Sequence, residues 1–416
     1  MKYLCLLALR TVIANKRRSL VNIAVIALSV AMVVITSTFC ATLIESQKEA
    51  ILTSLPADLT AREINSILAQ DWGLNLFQGI GAFFNTLMLI IAAFLIYGTF
   101  SAGIRERAKL MAVLTTVGAG NVQKAFVSVA EAPILSLIGI PFGILIGLPA
   151  VSGVCLYLSE VLPLHFSFDL KTLARAVLIG LAAVLLSTLI SIVKSMRRSV
   201  IGLVKTTSGI EIRLKKSILD LLMWKLFGKA GELALAGFVN QKRNYRFLSL
   251  SFAVSMTLYV NLNLVIPYFR QNMMPESPET AAILANGITA VFNVLILLAV
   301  LTSALMFCSM FDARKGEFAI YRSIGMDTRT VYQIVALEWL FRGFYLFLFG
   351  LLGTYTVDLL LYGLMQTAVE AHTFINPIRQ ILHALLATAI ITTLMTVAMI
   401  ARLSRLNIVQ ELKREF

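Results

Sequence analysis

Apolar residues along this chain form eight long runs that are separated by short polar stretches. A helix that crosses a bilayer needs about 20 mainly apolar residues, so each run is predicted to form one span. The third and seventh runs exceed one crossing, and each is expected to combine an interfacial piece with a tilted or kinked span. The predicted fold class is an all-α, polytopic integral membrane protein. The predicted spans are Leu20–Leu43, Ile80–Ile104, Ala125–Leu158, Leu173–Val193, Phe247–Pro267, Ala285–Phe311, Val331–Met365 and Ile381–Ala401.

The placement of Lys and Arg predicts the orientation of these spans. Of the 36 basic residues, 29 fall in the termini and in alternate connections, six fall in the other connections, and Arg342 lies within the seventh run. Lys and Arg concentrate on the cytoplasmic side of membrane proteins. Both termini are therefore predicted to be cytoplasmic, in a multi-pass protein of the plasma membrane.

Two patterns recur and predict an internal duplication. "LALRTVIANKRRS" at 7–19 aligns with "LALAGFVNQKRNY" at 233–245, an offset of 226 residues. "GIRERAKLMAVLTTVGAG" at 103–120 and "MFDARKGEFAIYRSIGMD" at 310–327 align at an offset of 207, which pairs Gly118 with Gly325 and Glu131 with Glu338. Four spans per unit is an even number, so both units have the same orientation and the repeat is parallel.

The repeat gives three predicted regions. Residues 1–205 form the first four-span unit, 206–232 form a cytoplasmic linker, and 233–416 form the second four-span unit. Basic residues alternate with Leu, Ile and Trp224 in the linker, which predicts an amphipathic segment lying on the membrane surface. Packing on a soluble partner is the alternative.

Composition supports a membrane protein and excludes several other classes. Hydrophobic residues make up 58% of the chain and charged residues 14%, whereas soluble domains contain about 45–50% apolar and about 25% charged residues. The net charge of +14 is distributed between apolar runs and does not favour nucleic-acid binding. Neither the cysteines nor the histidines have metal-ligand spacing, and no catalytic constellation is present. The chain has no G-x-x-x-x-G-K-[ST] motif, so ATP hydrolysis would require another polypeptide.

The repeated charged segment predicts a cytoplasmic elbow. Apolar residues continue past the charges that end the second span, so the helix leaves the membrane with an apolar stripe that must pack against something. Gly118 and Gly325 are predicted to break this helix. Asn121 is expected to cap the next helix in the first copy, and Asp327 or Thr328 in the second. Such an elbow could transmit a push, and the alternative is an ordinary solvated loop.

Three charged residues fall inside the apolar runs. Glu131 and Glu338 lie about ten residues beyond their elbows, roughly 15 Å along a helix and thus near the cytoplasmic interface. A structural role is favoured, with pairing to Arg residues of the elbow. Arg342 lies one turn beyond Glu338, so an i,i+4 pair is available. A role in proton coupling is the alternative.

These features together resemble the FtsX-like permeases of ABC transporters, the macrolide-exporter and lipoprotein-release type, also called type VII. The resemblance rests on both elbows with their following glycine-rich spans, on "NKRRS" before span one and on the terminal "ARLSRLNIVQELKRE". It implies that each elbow is a coupling helix that docks on an ABC ATP-binding subunit, with two copies of that subunit and no cofactor in this chain. The coupling residues implied are Arg105, Glu106, Arg107, Gly118, Gly120, Asn121, Arg314, Lys315, Glu317, Gly325 and Asp327.

The resemblance implies a bacterial permease that exports or extracts an amphipathic substrate, such as an antimicrobial peptide, a lipid-like molecule or a hydrophobic drug. The first outer loop of each half has only about 37 and about 17 residues, too few for the large extracytoplasmic domain that many family members carry. The alternative function is an ATP-driven signalling device that regulates a sensor kinase or a cell-envelope protein. An ion-coupled secondary transporter is a third hypothesis.

Overall fold

The computed structural model describes residues 2–56, 60–102, 113–159, 221–239, 278–312, 314–365 and 377–405, with scattered positions between 174 and 189 and between 253 and 260. This part of the chain is built from α-helices. In chain order they are α1 (Lys2–Ala14), α2 (Lys16–Ser54), α3 (Ala61–Gln70), α4 (Trp72–Ala102), α5 (Asn121–Ser159), α6 (221–239), α7 (Pro278–Asp312), α8 (Lys315–Ser323), α9 (Thr328–Met365) and α10 (Pro377–Ser404).

Five stretches of the described helices are long and apolar enough to cross a membrane. They are Arg18–Thr53, Gly81–Phe100, Ala130–Leu156, Thr328–Val357 and Ile381–Ser404. They match the first, second, third, seventh and eighth predicted spans. The sixth predicted span falls in α7, where the apolar stretch found is Asn286–Thr302. The fourth and fifth lie largely outside the described residues, so the count of eight stays a prediction.

The two longest apolar runs each form one continuous helix. α5 has 39 residues and α9 has 38, which corresponds to about 58 Å at about 1.5 Å per residue. The hydrocarbon core is about 30 Å thick. The interfacial piece and the span expected in each run therefore belong to the same helix. Pro133, Pro141 and Pro149 lie inside α5 without ending it.

The predicted outer connection between the first two spans is largely helical. α2 continues to Ser54, and α3 follows as a short separate helix before α4. Thr60 and Glu63 together cap the start of α3: the amide of Thr60 donates to Glu63 Oε2 at 2.9 Å, which is one bond of a capping box, and the Thr60 hydroxyl also donates to this oxygen at 2.7 Å. These two hydrogen bonds lower the pKa of Glu63.

α2 and α5 pack closely against each other, because α5 presents glycines to α2. A Cβ atom on Gly143 would lie 2.6 Å from the carbonyl oxygen of Ala27 and 2.8 Å from Cβ of Val30. Gly139 and Gly147, one turn to either side, also approach α2 closely. Lipid tails are as apolar as the side chains of membrane helices, so the hydrophobic effect does not drive such helices together. Small residues stabilise the pair because they allow close contact between the backbones.

The two predicted halves meet through α7. Its apolar residues share a buried cluster with α2, α4 and α5. Phe84 of α4 and Phe292 of α7 meet edge to face, with ring centroids 4.9 Å apart. A second cluster joins α8, α9 and α10 within the second half. The elbow helix α8 therefore belongs to the core of the second half.

Candidate coupling site

Two glycine turns that are 207 residues apart have the same backbone structure. Gly118 has φ of 87° and Gly325 has φ of 91°, a left-handed conformation that strains any residue with a Cβ atom. At the first turn the amide of Ala119 donates to the carbonyl of Leu114 at 2.8 Å, and the amide of Gly118 donates to the carbonyl of Thr115 at 3.0 Å.

The second turn repeats this hydrogen bonding. The amide of Met326 donates to the carbonyl of Tyr321 at 3.2 Å, and the amide of Gly325 donates to the carbonyl of Arg322 at 3.1 Å. Each of these residues lies 207 positions after its counterpart. The two paired bonds define a Schellman motif, which ends a helix at a left-handed glycine. The predicted glycine breaks are confirmed.

Each turn presents an apolar side chain to the outside. Val117 is 79% exposed and Ile324 is 78% exposed, and each directly precedes its left-handed glycine. The residues before them, Thr116 and Ser323, are also exposed, and each hydroxyl donates back to a carbonyl of its own helix at 2.8 Å. We call Val117 and Ile324 the elbow tips.

The apolar stripe of the second elbow packs on its own chain. Phe318 and Ala319 of α8 are fully buried, and Phe318 lies in one cluster with Val331 and Val335 of α9. Burial raises the pKa of Tyr321, and the nearby Glu317 carboxylate acts in the same direction. The hydroxyl of Tyr321 is thus neutral at physiological pH. The stripe anchors the elbow, and the tip residue is left exposed.

The helices that follow the turns begin differently from each other. α9 begins at Thr328, which places Asp327, one of the two predicted caps, at the N-cap position. α5 begins at Asn121, so the prediction that Asn121 is the cap was wrong. Gly120 takes the cap position, and its amide donates to Oε1 of Gln123 at 3.2 Å. This is the capping-box bond in which the side chain at N3 accepts from the N-cap amide.

A buried charge cluster lies where the second elbow meets α9. Glu338 is 1% exposed, and both of its oxygens accept from Arg314: Nη1 lies 2.7 Å from Oε2 and Nη2 lies 3.1 Å from Oε1. Nη2 of Arg342 lies 3.3 Å from Glu338 Oε2, so the predicted i,i+4 pair is present. Nε of Arg314 donates to Oε2 of Glu317 at 3.0 Å. The expected pairing of Glu338 with an elbow arginine is confirmed.

Aromatic rings lie beneath both guanidinium groups of this cluster. Cζ of Arg314 lies 4.8 Å from the centroid of the Phe318 ring, and Cζ of Arg342 lies 5.1 Å from that of Trp339. Trp339 in turn donates from Nε1 to the sulfur of Met399 in α10 at 3.3 Å. The charges are therefore held by α8, α9 and α10 together.

Glu131, the counterpart of Glu338 in the first half, binds different residues in the part of the chain that the structure describes. Glu131 is 2% exposed. Arg18 Nη2 lies 3.1 Å from its Oε2, and the hydroxyl of Thr11 lies 3.3 Å from its Oε1. The elbow residues Arg105, Glu106 and Arg107 lie outside the described residues, as do the side chains of Asn121 and Lys315.

Sequence reasoning missed three residues that line these carboxylates: Thr11, Arg18 and Gly237. A Cβ atom on Gly237 would collide with Oε1 of Glu338, so the glycine of α6 makes room for the carboxylate. Thr11 and Gly237 are 226 positions apart, the offset of the aligned "LALRTV" and "LALAGF" segments. That alignment was the available signal, since it places both residues on the helix that precedes the first span of each unit.

Comparisons with known proteins gave one family. The family model for the FtsX-like permease C-terminal region matches residues 82–200 and 289–408. The two matches together cover more than half of the chain, and their first residues are 207 positions apart. No curated protein and no solved structure matches the chain.

Proposed function

The chain belongs to the FtsX-like permease family, and on that premise we propose that it is the transmembrane subunit of an ABC transporter. ATP binding and hydrolysis take place on separate ABC ATP-binding subunits, with which permeases of this family generally work. In this proposal the two elbows are the docking points, one in each half. A single chain then supplies two docks for two copies of the ATP-binding subunit.

The observation that carries this proposal is the match between the two elbows. Both end in the same Schellman motif, and both place an exposed apolar residue directly before the left-handed glycine. An isolated exposed apolar residue needs no explanation. Two with nearly the same exposure at the same position of a repeated motif favour a common partner surface.

The elbow at α8 is also built to transmit movement. Its buried face is part of the core formed by α8, α9 and α10, so displacement of the tip would move α9 as well. Interiors packed in this way change between discrete arrangements and do not deform continuously. Movement that begins at the ATP-binding subunit can thus reach the membrane spans.

The proposed activity is export or extraction of an amphipathic substrate at the plasma membrane, with both termini in the cytoplasm. The exposed outer faces of α5, α9 and α10 carry large apolar side chains such as Leu145, Leu352 and Leu382, as expected of helices that face lipid. A substrate that partitions into lipid can reach such faces from the side. The charge distribution of the connections supports the orientation.

Binding of the ATP-binding subunit tests the proposal. Burying a Val or Ile side chain contributes about 1.5–3 kcal/mol, so Val117→Asp or Ile324→Asp should weaken binding at that dock by at least about tenfold. Co-purification with the ATP-binding subunit and stimulated ATP hydrolysis are the measurements. Thr116→Ala and Ser323→Ala, at the neighbouring exposed positions, are the matched controls and should behave like wild type.

Single and double Asp variants separate the loss of one dock from the loss of both. Either single Asp variant should retain one dock and lose stimulated hydrolysis, and the double variant should lose the ATP-binding subunit altogether. Wild-type binding and hydrolysis in the double variant would rule out the elbow tips as docks.

A further inference from the structure

Arg314 lies at the break between the sixth predicted span and the second elbow. α7 ends at Asp312 and α8 begins at Lys315, with Arg314 in the turn at φ −111° and ψ −2°. Its side chain is nonetheless 3% exposed. A turn between a membrane helix and a cytoplasmic helix can change its angle, and here a buried guanidinium group lies within it. We call this turn the hinge.

The guanidinium group of Arg314 connects the hinge to two other positions. Two of its nitrogens bind the two oxygens of Glu338 in α9, and the third binds Glu317 in the first turn of α8. Such a fork-to-carboxylate contact fixes the relative orientation of both groups, in contrast to a point charge such as lysine. The direction in which α8 leaves the hinge is thereby tied to α9.

The carboxylate of Glu338 also meets a third element. Gly237 of α6 lies against Oε1 so closely that no Cβ atom would fit. The side chain of Arg342, from the next turn of α9, holds Oε2. The hinge, α9 and α6 therefore converge on one buried carboxylate.

Stability alone does not account for this arrangement. Charges lose hydration on burial, and apolar residues of similar volume often stabilise a fold as well or better. What a buried fork adds is a single defined geometry. The buried fork between Arg314 and Glu338 lies at the hinge. There, its geometry would determine how a displacement of the elbow tip is passed to the membrane helices.

We propose that Glu338 is the positioning residue of the second elbow. Through Arg314 it holds the hinge at one angle, so that α7, α8 and α9 move as one body when the elbow is displaced. The part of this inference that concerns coupling rests on the proposed function. The part that concerns the hinge does not, because it is a property of the permease by itself.

The first half provides an internal comparison. Glu131 is held by Thr11 and Arg18, which lie in α1 and at the start of α2. Leu135 stands at the position equivalent to Arg342, 207 residues earlier. Loss of the Glu131 carboxylate should therefore loosen the α1–α2 region, whereas loss of the Glu338 carboxylate should loosen α8.

Hydrogen exchange on the permease alone, in lipid nanodiscs, tests the hinge. Glu338→Gln should accelerate amide exchange in residues 314–327 by about tenfold or more and leave residues 2–20 unchanged. Glu131→Gln should accelerate exchange in residues 2–20 and leave residues 314–327 unchanged. Arg314→Lys should behave like Glu338→Gln because it keeps the charge and loses the fork. Ser323→Ala, at an exposed position of α8 outside the charge cluster, is the control and should have little effect.

Stimulated ATP hydrolysis then tests coupling. Glu338→Gln should bind the ATP-binding subunit like wild type but lose most of the stimulation, a split that general instability would not produce. If Glu338→Gln cannot be purified in folded form, an apolar replacement of the cluster, Arg314→Met with Glu338→Met and Arg342→Leu, takes its place. It should fold, exchange rapidly in α8 and remain uncoupled.

Different results would overturn the positioning role of Glu338 and the proposed function. Unchanged α8 exchange in Glu338→Gln, wild-type behaviour of Arg314→Lys, or full coupling in the apolar replacement would each overturn the positioning role. Failure of the wild-type permease to bind any ATP-binding subunit would instead overturn the proposed function and leave the exchange experiment as the test of the hinge.

Discussion

Replacing Gly325 with alanine isolates the cost of the left-handed turn at the second elbow. A Cβ atom built on Gly325 meets nothing within 4 Å, and the backbone φ is 91°. Steric clash is therefore excluded as a cause of any effect. What remains is the strain of placing an L-residue in the left-handed region.

That strain sets the expected magnitude. A residue with a Cβ atom pays about 1–2 kcal/mol in this region, which corresponds to a change of about 5- to 30-fold in a local opening equilibrium. Amide exchange of residues 314–327 in the purified permease should accelerate by this factor in Gly325→Ala. Gly325→Asn should be affected less, because asparagine tolerates the left-handed conformation.

Gly120→Ser provides the matched control. Gly120 is also a glycine of an elbow with open space around it, but its φ is not positive. Serine is favoured at an N-cap, so exchange of residues 113–124 in this variant should be no faster than in wild type. Equal exchange in Gly325→Ala, Gly325→Asn and wild type would refute the assignment of a strained, helix-ending turn.

Three further predictions test other parts of the structure. Gly143→Ala should destabilise the α2–α5 pair by about 1–3 kcal/mol through overpacking, whereas Gly153→Ala in the same helix, with nothing within 4 Å, should be neutral or stabilising by about 0.5–1 kcal/mol; thermal unfolding in detergent distinguishes them. Because the folded pKa of Glu63 is lowered, its stabilisation of α3 should be complete above the ordinary glutamate pKa and disappear as the pH falls through the lowered value, with exchange in α3 as the measurement. A cysteine at position 277, in place of Ser277, should react with an impermeant maleimide in intact cells, and one in place of Gly209 should not; comparable labelling of both would contradict the predicted topology.

The long-range regularities of this chain were readable from its sequence. Runs of apolar residues predicted the five stretches of the described helices that are long and apolar enough to cross a membrane, and the offset of 207 residues predicted the two glycine turns. Both depend on local rules: a span needs a minimum apolar length, and a left-handed helix end favours glycine. Such rules act within a few residues and leave a pattern in sequence.

Contacts between distant segments were harder to predict. The spacing of Glu338 and Arg342 predicted their pair, because i,i+4 neighbours share a helix face. Nothing local indicates that Arg18 reaches Glu131, 113 residues away. That contact depends on how α1, α2 and α5 pack.

The helix starts also show where local reasoning is limited. Asn121 is a favourable cap by residue type, yet Gly120 occupies the cap position, where its amide donates to Gln123. The partner of the apolar stripe on α8 was equally undetermined by the sequence. An amphipathic helix must bury its face, but the pattern does not say whether against its own chain or another.

Site-directed cross-linking tests the central claim, that both elbow tips contact an ATP-binding subunit. In a variant without the four native cysteines, single cysteines replace Val117, Ile324 or, as a control, Leu137 of α5, which is 78% exposed but lies within a stretch long and apolar enough to cross a membrane. After co-expression with an ABC ATP-binding subunit and addition of a short cross-linker, the two elbow positions should each give a permease–ATPase adduct, and the Leu137 position should give none. Absence of an adduct at both elbow tips, or equal yields at all three positions, would contradict the account.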